Sequence, residues 1–330
     1  MKKCVIILPY FGKFNNYFQF FLRSCGYNKS YTFLIFTDNE SVYDYPDNVK
    51  KIAMTLDEFK KNAEKKIGFR PCIPDAYKLC DFKPAYGLFF EEYIKGYEYW
   101  GHCDCDLIFG DLEKNLNPLL ERDFDKIFAA GHLTIYRNTY ENNRRFMKPV
   151  NGMLLYHDVF MDSRIRVFDE DNPDINKNPQ GHNVHEIFLK DRANLYTKDL
   201  SFNVPASHDH LTRSVYNSNA RDFIEEPVLP CRVFWNNGRI ISFKLISNNR
   251  IDHSEYLYIH LQKRKMRCSK HVLSSPIVEI CPDCFRSVQH LPLVLKDMHL
   301  TLWKLPSSFW IHIYIGKFKH KIKRIVSFFK

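Results

Sequence analysis

The sequence contains no long hydrophobic run. Met1–Lys3 is followed by only five apolar residues, Cys4–Leu8, before Pro9. This stretch is too short for a secretory signal or a membrane span, so we expect a cytoplasmic protein. The sequence also lacks an internal repeat and a low-complexity linker, which excludes repeat architectures.

Acidic residues are missing from the last fourteen positions, 317–330, which hold six lysines and arginines. These six account for more than half of the formal net charge of +10, so the body of the protein is only weakly basic and nucleic-acid binding is not predicted. The ten cysteines are scattered and lack secretory context, which predicts reduced thiols and no disulfide framework. A content of 45% hydrophobic and 26% charged residues is typical of a globular protein.

Strand-like and helix-like segments alternate along the chain. Apolar runs predict strands at 2–12, 31–38, 48–55, 97–106, 126–137 and 151–157, and a hairpin at 232–245 that turns at 236–238. Helical patterns occupy 15–25, 56–66, 75–96 and 182–191. The alternation predicts an α/β fold with a mostly parallel central sheet flanked by helices.

The segment WGHCDCDLIFGDL, residues 100–112, carries the clearest chemical signal. Along a strand, His102, Asp104 and Asp106 share one face. Cys103 and Cys105 share the other face, where we interpret them as buried apolar residues. Two carboxylates at the carboxyl end of a strand can bind Mg²⁺ or Mn²⁺ in the ligand crevice of an α/β sheet. The alternative is a strand end whose aspartates face water.

Seven segments together resemble a known family. They are LPYFGKFNNYFQFFLRSC, FLIFTD, YKLCDFKPAYG, GHCDCDLIFGDL, GHLTIYRN, NRRFM and YIHLQKRKM. In this order they are similar to an uncharacterised bacterial family of GT-A-type nucleotide-sugar glycosyltransferases, associated with surface-polysaccharide synthesis. The resemblance implies a GT-A-like domain over 1–267, with a nucleotide-sugar half at about 1–125 and an acceptor half at about 126–267.

The resemblance also implies a donor site. Asp104 and Asp106 would hold Mn²⁺ or Mg²⁺, with His260 as third ligand; outside this context His260 is a packed histidine. The residues expected to contact the donor are Tyr10, Phe11, Gly12, Asp38, Lys78, Asp81 and Lys263. For Tyr10 and Phe11 the alternative is core packing, and for Asp38 it is a turn or cap. Arg70 and Lys83 are further candidates, or surface charges.

Acceptor binding is assigned to the second half. His132, Arg137 and Asn138 are polar candidates there, and Asp169 or Glu170 is the expected base for the acceptor hydroxyl in an inverting reaction. A retaining reaction needs no such base. The polar loop at 169–180 is either a lid or a surface insertion.

Two further segments follow the resemblance. In 268–290, Cys268, His271, Cys281 and Cys284 have a spacing compatible with a small structural zinc knuckle; the alternative is a pair of turns with buried thiols. In 291–330, apolar residues from Phe318 onward fall on one face of a basic amphipathic helix, which favours association with an anionic membrane surface. A solvated helix docked on the body is the alternative.

The sequence therefore predicts a metal-dependent glycosyltransferase on the inner face of the membrane. Its expected partners are a nucleotide-sugar donor, foremost a UDP-sugar, and a glycan or lipid-linked acceptor. One alternative is a nucleotidyl- or sugar-phosphate transferase that uses the same aspartates. The other is a zinc-bearing interaction module with a basic tail.

Overall fold

The computed structural model describes residues 2–171, 183–206, 208–246, 250–262 and 264–299. Within these ranges the strands are β1 (Lys2–Pro9), β2 (Tyr31–Thr37), β3 (Val49–Ala53), β4 (Tyr97–Cys103), β5 (Leu107–Phe109), β6 (Lys126–Ile127), β7 (Leu133–Arg137), β8 (Leu195–Tyr196), β9 (Ser201–Asn203), β10 (Ser214–Asn217), β11 (Asp222–Glu225), β12 (Cys231–Asn236), β13 (Arg239–Ile246), β14 (Arg250–Tyr256), β15 (Tyr258–His260), β16 (Ile277–Ile280) and β17 (Phe285–Ser287). The helices are α1 (Phe18–Gly26), α2 (Leu56–Ile67), α3 (Tyr86–Phe89), α4 (Glu91–Ile94), α5 (Leu112–Leu120), α6 (Leu155–Met161), α7 (Val184–Lys190), α8 (Lys270–Ser274) and α9 (Leu295–His299), with 3₁₀ helices at Ala76–Ala85 and Asn142–Met147. The predicted α/β class is confirmed.

The central sheet has seven strands in the order β3-β2-β1-β4-β7-β6-β8. The first four strands are mutually parallel, as are β6 and β8, whereas β7 is antiparallel to both of its neighbours. Apolar residues alternate between the two faces of β1: Ile6 belongs to one core cluster, and Val5 and Ile7 belong to the other. Burial on both faces explains why β1 is a continuous apolar run.

Two smaller sheets extend the molecule. The second sheet has the order β11-β10-β9-β15-β5, and the third has the order β14-β13-β12-β16-β17. The hairpin predicted at 232–245 is confirmed as β12 and β13, with Asn237 and Gly238 both at positive φ (46° and 85°). This turn geometry matches the twist of the paired strands.

Helix α2 shows how local sequence determines an element. The Thr55 hydroxyl accepts from Glu58 N (3.2 Å), and the Glu58 carboxylate accepts from Thr55 N (2.7 Å), which forms a capping box. The helix ends at Gly68, whose φ of 83° favours glycine. The predicted helix at 56–66 is confirmed. Within the described ranges, no helix has the length and apolar character needed to cross a bilayer.

The prediction of one long helix over 75–96 is wrong. A ten-residue 3₁₀ helix, Ala76–Ala85, comes first, and the short helices α3 and α4 follow it. Pro84 lies inside the 3₁₀ helix and has no N–H to donate to a regular α-helical ladder. Phe90 separates α3 from α4 with a non-helical backbone conformation (φ −113°, ψ 26°).

Three strand predictions also need correction. The strand predicted at 126–137 is two antiparallel strands, β6 and β7, joined by residues 128–132. The strand predicted at 97–106 ends at Cys103, so Asp104 and Asp106 lie beyond it. The strand predicted at 151–157 is a turn that leads into α6. Asn151 and Gly152 have positive φ values (49° and 80°), which a strand does not contain.

Candidate active site

The connection between β4 and β5 carries the chain from the central sheet into the second sheet, and it holds Asp104 and Asp106. Asp104 N donates to His132 O (3.0 Å), and Leu261 N donates to Asp106 O (3.0 Å). Each end of the connection is thus fixed to a neighbouring segment. The two carboxylates are brought together by a turn. The sequence had suggested instead that they share one face of a strand. His102 instead is fully buried.

His260 on β15 completes a cluster with these two aspartates. β15 pairs antiparallel to β5, with His260 opposite Leu107, so the imidazole lies directly beside the turn. One ligand atom from each of the three residues lies within 4.8 Å of the others. Nε2 of His260 is 3.4 Å from Asp106 Oδ1. In the part of the chain that the structure describes, this is the one such group of His, Cys, Asp or Glu.

The donor set of this cluster fits a divalent cation. Asp106 Oδ1 is buried, and among the described residues it accepts no hydrogen bond. Two carboxylate oxygens and an imidazole nitrogen suit Mn²⁺, and also Mg²⁺ with water in the remaining positions. The buried oxygen without a hydrogen bond is the observation that favours a cation here.

Electrostatics at the cluster are consistent with this fit. Burial raises the pKa of Asp104, and the Lys83 ammonium only partly opposes this effect. Burial alone lowers the pKa of His260, but the carboxylates of Asp106 and Asp104 outweigh it and raise that pKa. The shift of His260 reflects the negative charge of the two carboxylates beside it, and a bound cation would compensate this charge.

Asn203 on β9 orients the imidazole of His260. Asn203 is 5% exposed, and its Oδ1 lies 3.0 Å from His260 Nδ1. Gln262 Nε2 donates to the same oxygen (3.0 Å), and Gln262 itself has a left-handed backbone (φ 51°). A carbonyl oxygen can only accept, so Nδ1 of His260 carries a proton, and a metal would bind at Nε2 once the proton there has been released.

We expect Asn203→Leu to weaken Mn²⁺ binding by about 10- to 100-fold, because loss of the oxygen frees the imidazole to rotate and change tautomer. Asn203→Asp retains an acceptor at this position and should keep an affinity close to that of the parent chain. Titration of free Mn²⁺ by electron paramagnetic resonance measures both affinities. Equal affinity in the leucine variant would contradict the role assigned to Asn203.

Lys83 connects the cluster to the acidic pair predicted as catalytic. Its ammonium lies 2.7 Å from Asp104 Oδ1 and 2.8 Å from Asp169 Oδ2, and it donates to Gly131 O (2.9 Å). Gly131 has no room for a side chain, because a Cβ there would collide with the carboxylate of Asp169. Lys83 therefore fixes Asp104 and Asp169 relative to each other.

The two acids differ in their surroundings. Asp169 is 4% exposed and held by Lys83, and burial raises its pKa to about 7. Glu170 is half-buried, and its Oε2 accepts from Gly131 N (3.2 Å). Burial raises the pKa of Glu170 as well, and the nearby charge of Asp104 adds to the effect. Of the two, Glu170 is the acid with access to a ligand beside the cluster.

A model of a family of unknown function, DUF6625, matches residues 6–289. The chain belongs to this family. The match includes the whole cluster and the third sheet. No curated protein matches the chain.

Two glycosyltransferases are among the solved structures with some likeness to this DUF6625 chain. GlyE of Streptococcus pneumoniae TIGR4, in its apo form, has 10% identity and a TM-score of 0.33 over 62% of this chain, which spans 47% of the GlyE chain. The galactosyltransferase LgtC, in complex with donor and acceptor sugar analogues, has 12% identity and a TM-score of 0.29 over 61% of this chain and 75% of its own. Both likenesses are distant.

Lys78 and Asp81 of the DUF6625 chain lie away from solvent. They are 1% and 0% exposed and form an ion pair of 2.6 Å. Lys78 Nζ also donates to the carbonyl oxygens of Val159 (3.0 Å) and Arg164 (2.6 Å). The Asp81 carboxylate accepts from the backbone N–H groups of Arg166 and Phe168. These contacts occupy both side chains, so the predicted phosphate and ribose contacts are not available to them in this structure.

The segment after β1 lies close to the cluster. β1 runs parallel to β4 with Ile7 opposite His102, so its carboxyl end points toward the aspartates. Tyr10 is half-buried and stacks on Phe14 with 4.8 Å between ring centroids. Burial raises the pKa of Tyr10 to about 12, and the charge of Asp106 contributes.

Gly12 and Asp38 hold the tip of this segment. The Asp38 carboxylate accepts from Gly12 N (2.7 Å), and Asn39 Nδ2 donates to Gly12 O (2.8 Å). Gly12 has a φ of 96°, which favours glycine. Phe11 is half-buried and makes an edge contact with Phe59, at 6.2 Å between centroids. Asp38 therefore has a backbone partner, and a base or ribose contact would be additional.

The zinc knuckle predicted in 268–290 is not assembled. No three of Cys268, His271, Cys281 and Cys284 come within ligand distance of one another, although all four lie in the described ranges. The reason is that this stretch forms part of the third sheet: Cys281 N donates to Cys284 O (2.8 Å) in the turn from β16 to β17. Cys281 Sγ accepts from Arg286 Nε (3.0 Å). The alternative of a turn with buried thiols describes this pair correctly.

Lys263, most of the loop at 169–180 and the basic tail beyond His299 lie outside the described residues. The predicted diphosphate contact of Lys263, the lid and the amphipathic helix therefore stay predictions.

Proposed function

We propose that the chain is a metal-dependent glycosyltransferase that moves a sugar from a nucleotide-sugar donor to a glycan or lipid-linked acceptor. The convergence of Asp104, Asp106 and His260 at the junction of two sheets supports this proposal most directly. The site lies at the carboxyl ends of β1 and β4, where α/β sheets bind nucleotides and related ligands.

The donor would lie between the cluster and the segment 10–12. A divalent cation at the cluster would bind the diphosphate and neutralise charge on the departing nucleoside diphosphate. The half-buried ring of Tyr10 and the exposed backbone of Gly12 are available to the nucleoside, since a glycine lets a ligand approach the main chain closely. A UDP-sugar is the donor that we propose.

Transfer requires that the acceptor hydroxyl oxygen bonds to the anomeric carbon while the bond from that carbon to the diphosphate oxygen breaks. The nucleoside diphosphate leaves, and in a single displacement the hydroxyl proton passes to a carboxylate. We assign that carboxylate to Glu170, because Asp169 is buried against Lys83. Lys83 positions Asp104 and Asp169 and is not itself a base.

The proposal is tested by incubating the purified full chain with a panel of nucleotide sugars, beginning with UDP-glucose and UDP-galactose, in the presence of Mn²⁺. We expect slow release of nucleoside diphosphate by transfer to water, and its loss when EDTA is added. Release of nucleoside monophosphate or pyrophosphate would assign a sugar-phosphate or nucleotidyl transferase instead. A chain that binds Mn²⁺ but consumes no donor with or without glycan acceptors would overturn the proposal.

We also propose that the basic tail, 291–330, attaches the protein to the inner face of the membrane through its residues after 299. Six cations without an acid in 317–330 support an electrostatic attraction of about 1 kcal/mol per charge to anionic lipid. A chain ending at residue 299 should therefore lose co-flotation with phosphatidylserine vesicles and retain Mn²⁺-dependent donor hydrolysis. Equal flotation of both forms would place membrane binding elsewhere, and neutral phosphatidylcholine vesicles control for non-specific adsorption.

A further inference from the structure

Three further side chains lie next to the metal cluster, on the side that faces the hairpin of β10 and β11. They are His132 before β7, Phe223 on β11 and Glu170. His132 and His260 have ring centroids 4.5 Å apart, and His132 and Phe223 have centroids 6.1 Å apart. Glu170 is tied to Gly131, the residue before His132. His132 thus connects the cluster to Phe223, and Glu170 is fixed to the residue next to His132; we call these three side chains the wall.

His132 has a hydrogen-bonding nitrogen without a partner. The residue is 4% exposed, and its Nδ1 lies 2.7 Å from the hydroxyl of Tyr258. An imidazole nitrogen is a better acceptor than a phenol oxygen, so the hydroxyl donates and the ring proton of neutral His132 lies on Nε2. Nε2 is buried and has no hydrogen-bond partner among the described residues. A buried N–H donor without an acceptor is costly, and a ligand oxygen beside it would remove this cost.

Phe223 presents a half-buried ring on a hairpin that is firmly anchored. The ring packs against Tyr216 at 5.8 Å between centroids, and the Tyr216 hydroxyl donates to the buried carboxylate of Asp171. Arg221 in the turn of the hairpin donates to both oxygens of the same carboxylate, at 2.6 Å from Nη2 and 3.0 Å from Nε. Asp171 directly follows Glu170, so these contacts hold the ring of Phe223 in place relative to the acid.

We propose that this wall binds the terminal sugar of the acceptor, a pyranoside with a free hydroxyl. The ring of Phe223 packs against the C–H face of the sugar, His132 Nε2–H donates to one of its oxygens, and Glu170 accepts from the hydroxyl that attacks. An aromatic face with a few fixed polar groups is the usual composition of a small-molecule site. The inference rests on the proposed function, since it assigns the second substrate of the same reaction.

The bound metal itself can report the position of the sugar. Mn²⁺ is paramagnetic and accelerates the proton relaxation of any molecule held beside it. The probe is a set of methyl pyranosides, the α and β anomers of glucose, galactose and N-acetylglucosamine, added to the full chain with Mn²⁺ and UDP. We expect enhanced relaxation for at least one of them with the parent chain and with Phe223→Tyr, which keeps the ring.

Phe223→Ala and His132→Phe should each weaken the binding of that pyranoside by about fivefold or more, and neither should change the Mn²⁺ affinity. Phe69→Ala, which truncates a half-buried ring that packs against Tyr156 of α6, is the matched control and should leave the relaxation unchanged. Equal relaxation in Phe223→Ala and the parent chain would overturn the acceptor site. So would the absence of any relaxation when Mn²⁺ is bound. Failure of the parent chain to bind Mn²⁺ would instead overturn the proposed function.

Discussion

Asp106→Asn is expected to lower Mn²⁺-dependent donor hydrolysis by a factor of about 10³ or more, because the variant loses a charged metal ligand. Asp106 Oδ1 is the buried oxygen that accepts no hydrogen bond among the described residues, and it faces His260 Nε2 at 3.4 Å. An amide at this position has half the acceptor capacity and no charge. The variant should therefore lose Mn²⁺ binding together with activity.

Release of nucleoside diphosphate from the donor and free Mn²⁺ by electron paramagnetic resonance are the two measurements. Asp158→Asn is the matched control, because Asp158 is an exposed aspartate on α6, and it should match the parent chain in both. The thermal midpoint without metal excludes loss of folding as the cause. Full activity of Asp106→Asn would remove the metal cluster from the mechanism.

Lys78→Met is expected to destabilise the fold by about 3–5 kcal/mol, because it leaves the fully buried carboxylate of Asp81 without its cation. The variant also loses two bonds to carbonyl oxygens, which join the first 3₁₀ helix to α6 and the segment after it. The midpoint of urea denaturation measures the effect. In the folded variant, Mn²⁺ affinity should be unchanged.

Lys114→Met is the control for this variant. Lys114 forms an exposed ion pair with Glu255 (2.7 Å), and its loss should cost at most about 1 kcal/mol. The comparison also decides between the two interpretations of Lys78. A phosphate-binding lysine would give weak donor binding and normal stability, whereas a structural lysine gives the reverse.

The sequence predicted the core strands of the fold and marked Asp104 and Asp106 as a candidate pair because both depend on local signals. Continuous apolar runs marked β1 and β2, a helical pattern marked α2, and two aspartates one residue apart marked a candidate metal site. The reason given for their convergence was wrong, since β4 ends before Asp104. A turn signal was weak here, because neither glycine nor proline lies between the two aspartates.

The contacts around the cluster could not be predicted in the same way. Lys83 meets Asp169 across 86 positions of the sequence, and Asn203 meets His260 across 57. Such pairs depend on how the sheets pack, and nothing in the local pattern distinguishes a bridging lysine from a surface one. The same holds for Lys78 and Asp81, whose spacing of three suggested one helix face beside the donor crevice although packing buries both.

The position of β16 in the third sheet has a practical consequence for production of the protein. β16 pairs with β12, with Val278 opposite Trp235, and so covers a strand edge that would otherwise be open. A chain shortened at residue 267, where the recognisable motifs end, would expose that edge and remove the core residues Val278, Ile280 and Phe285 from the cluster that includes Trp235. Unpaired edges of this kind recruit other chains, so the shortened protein should accumulate in inclusion bodies, while one that continues to residue 299 should remain in the supernatant.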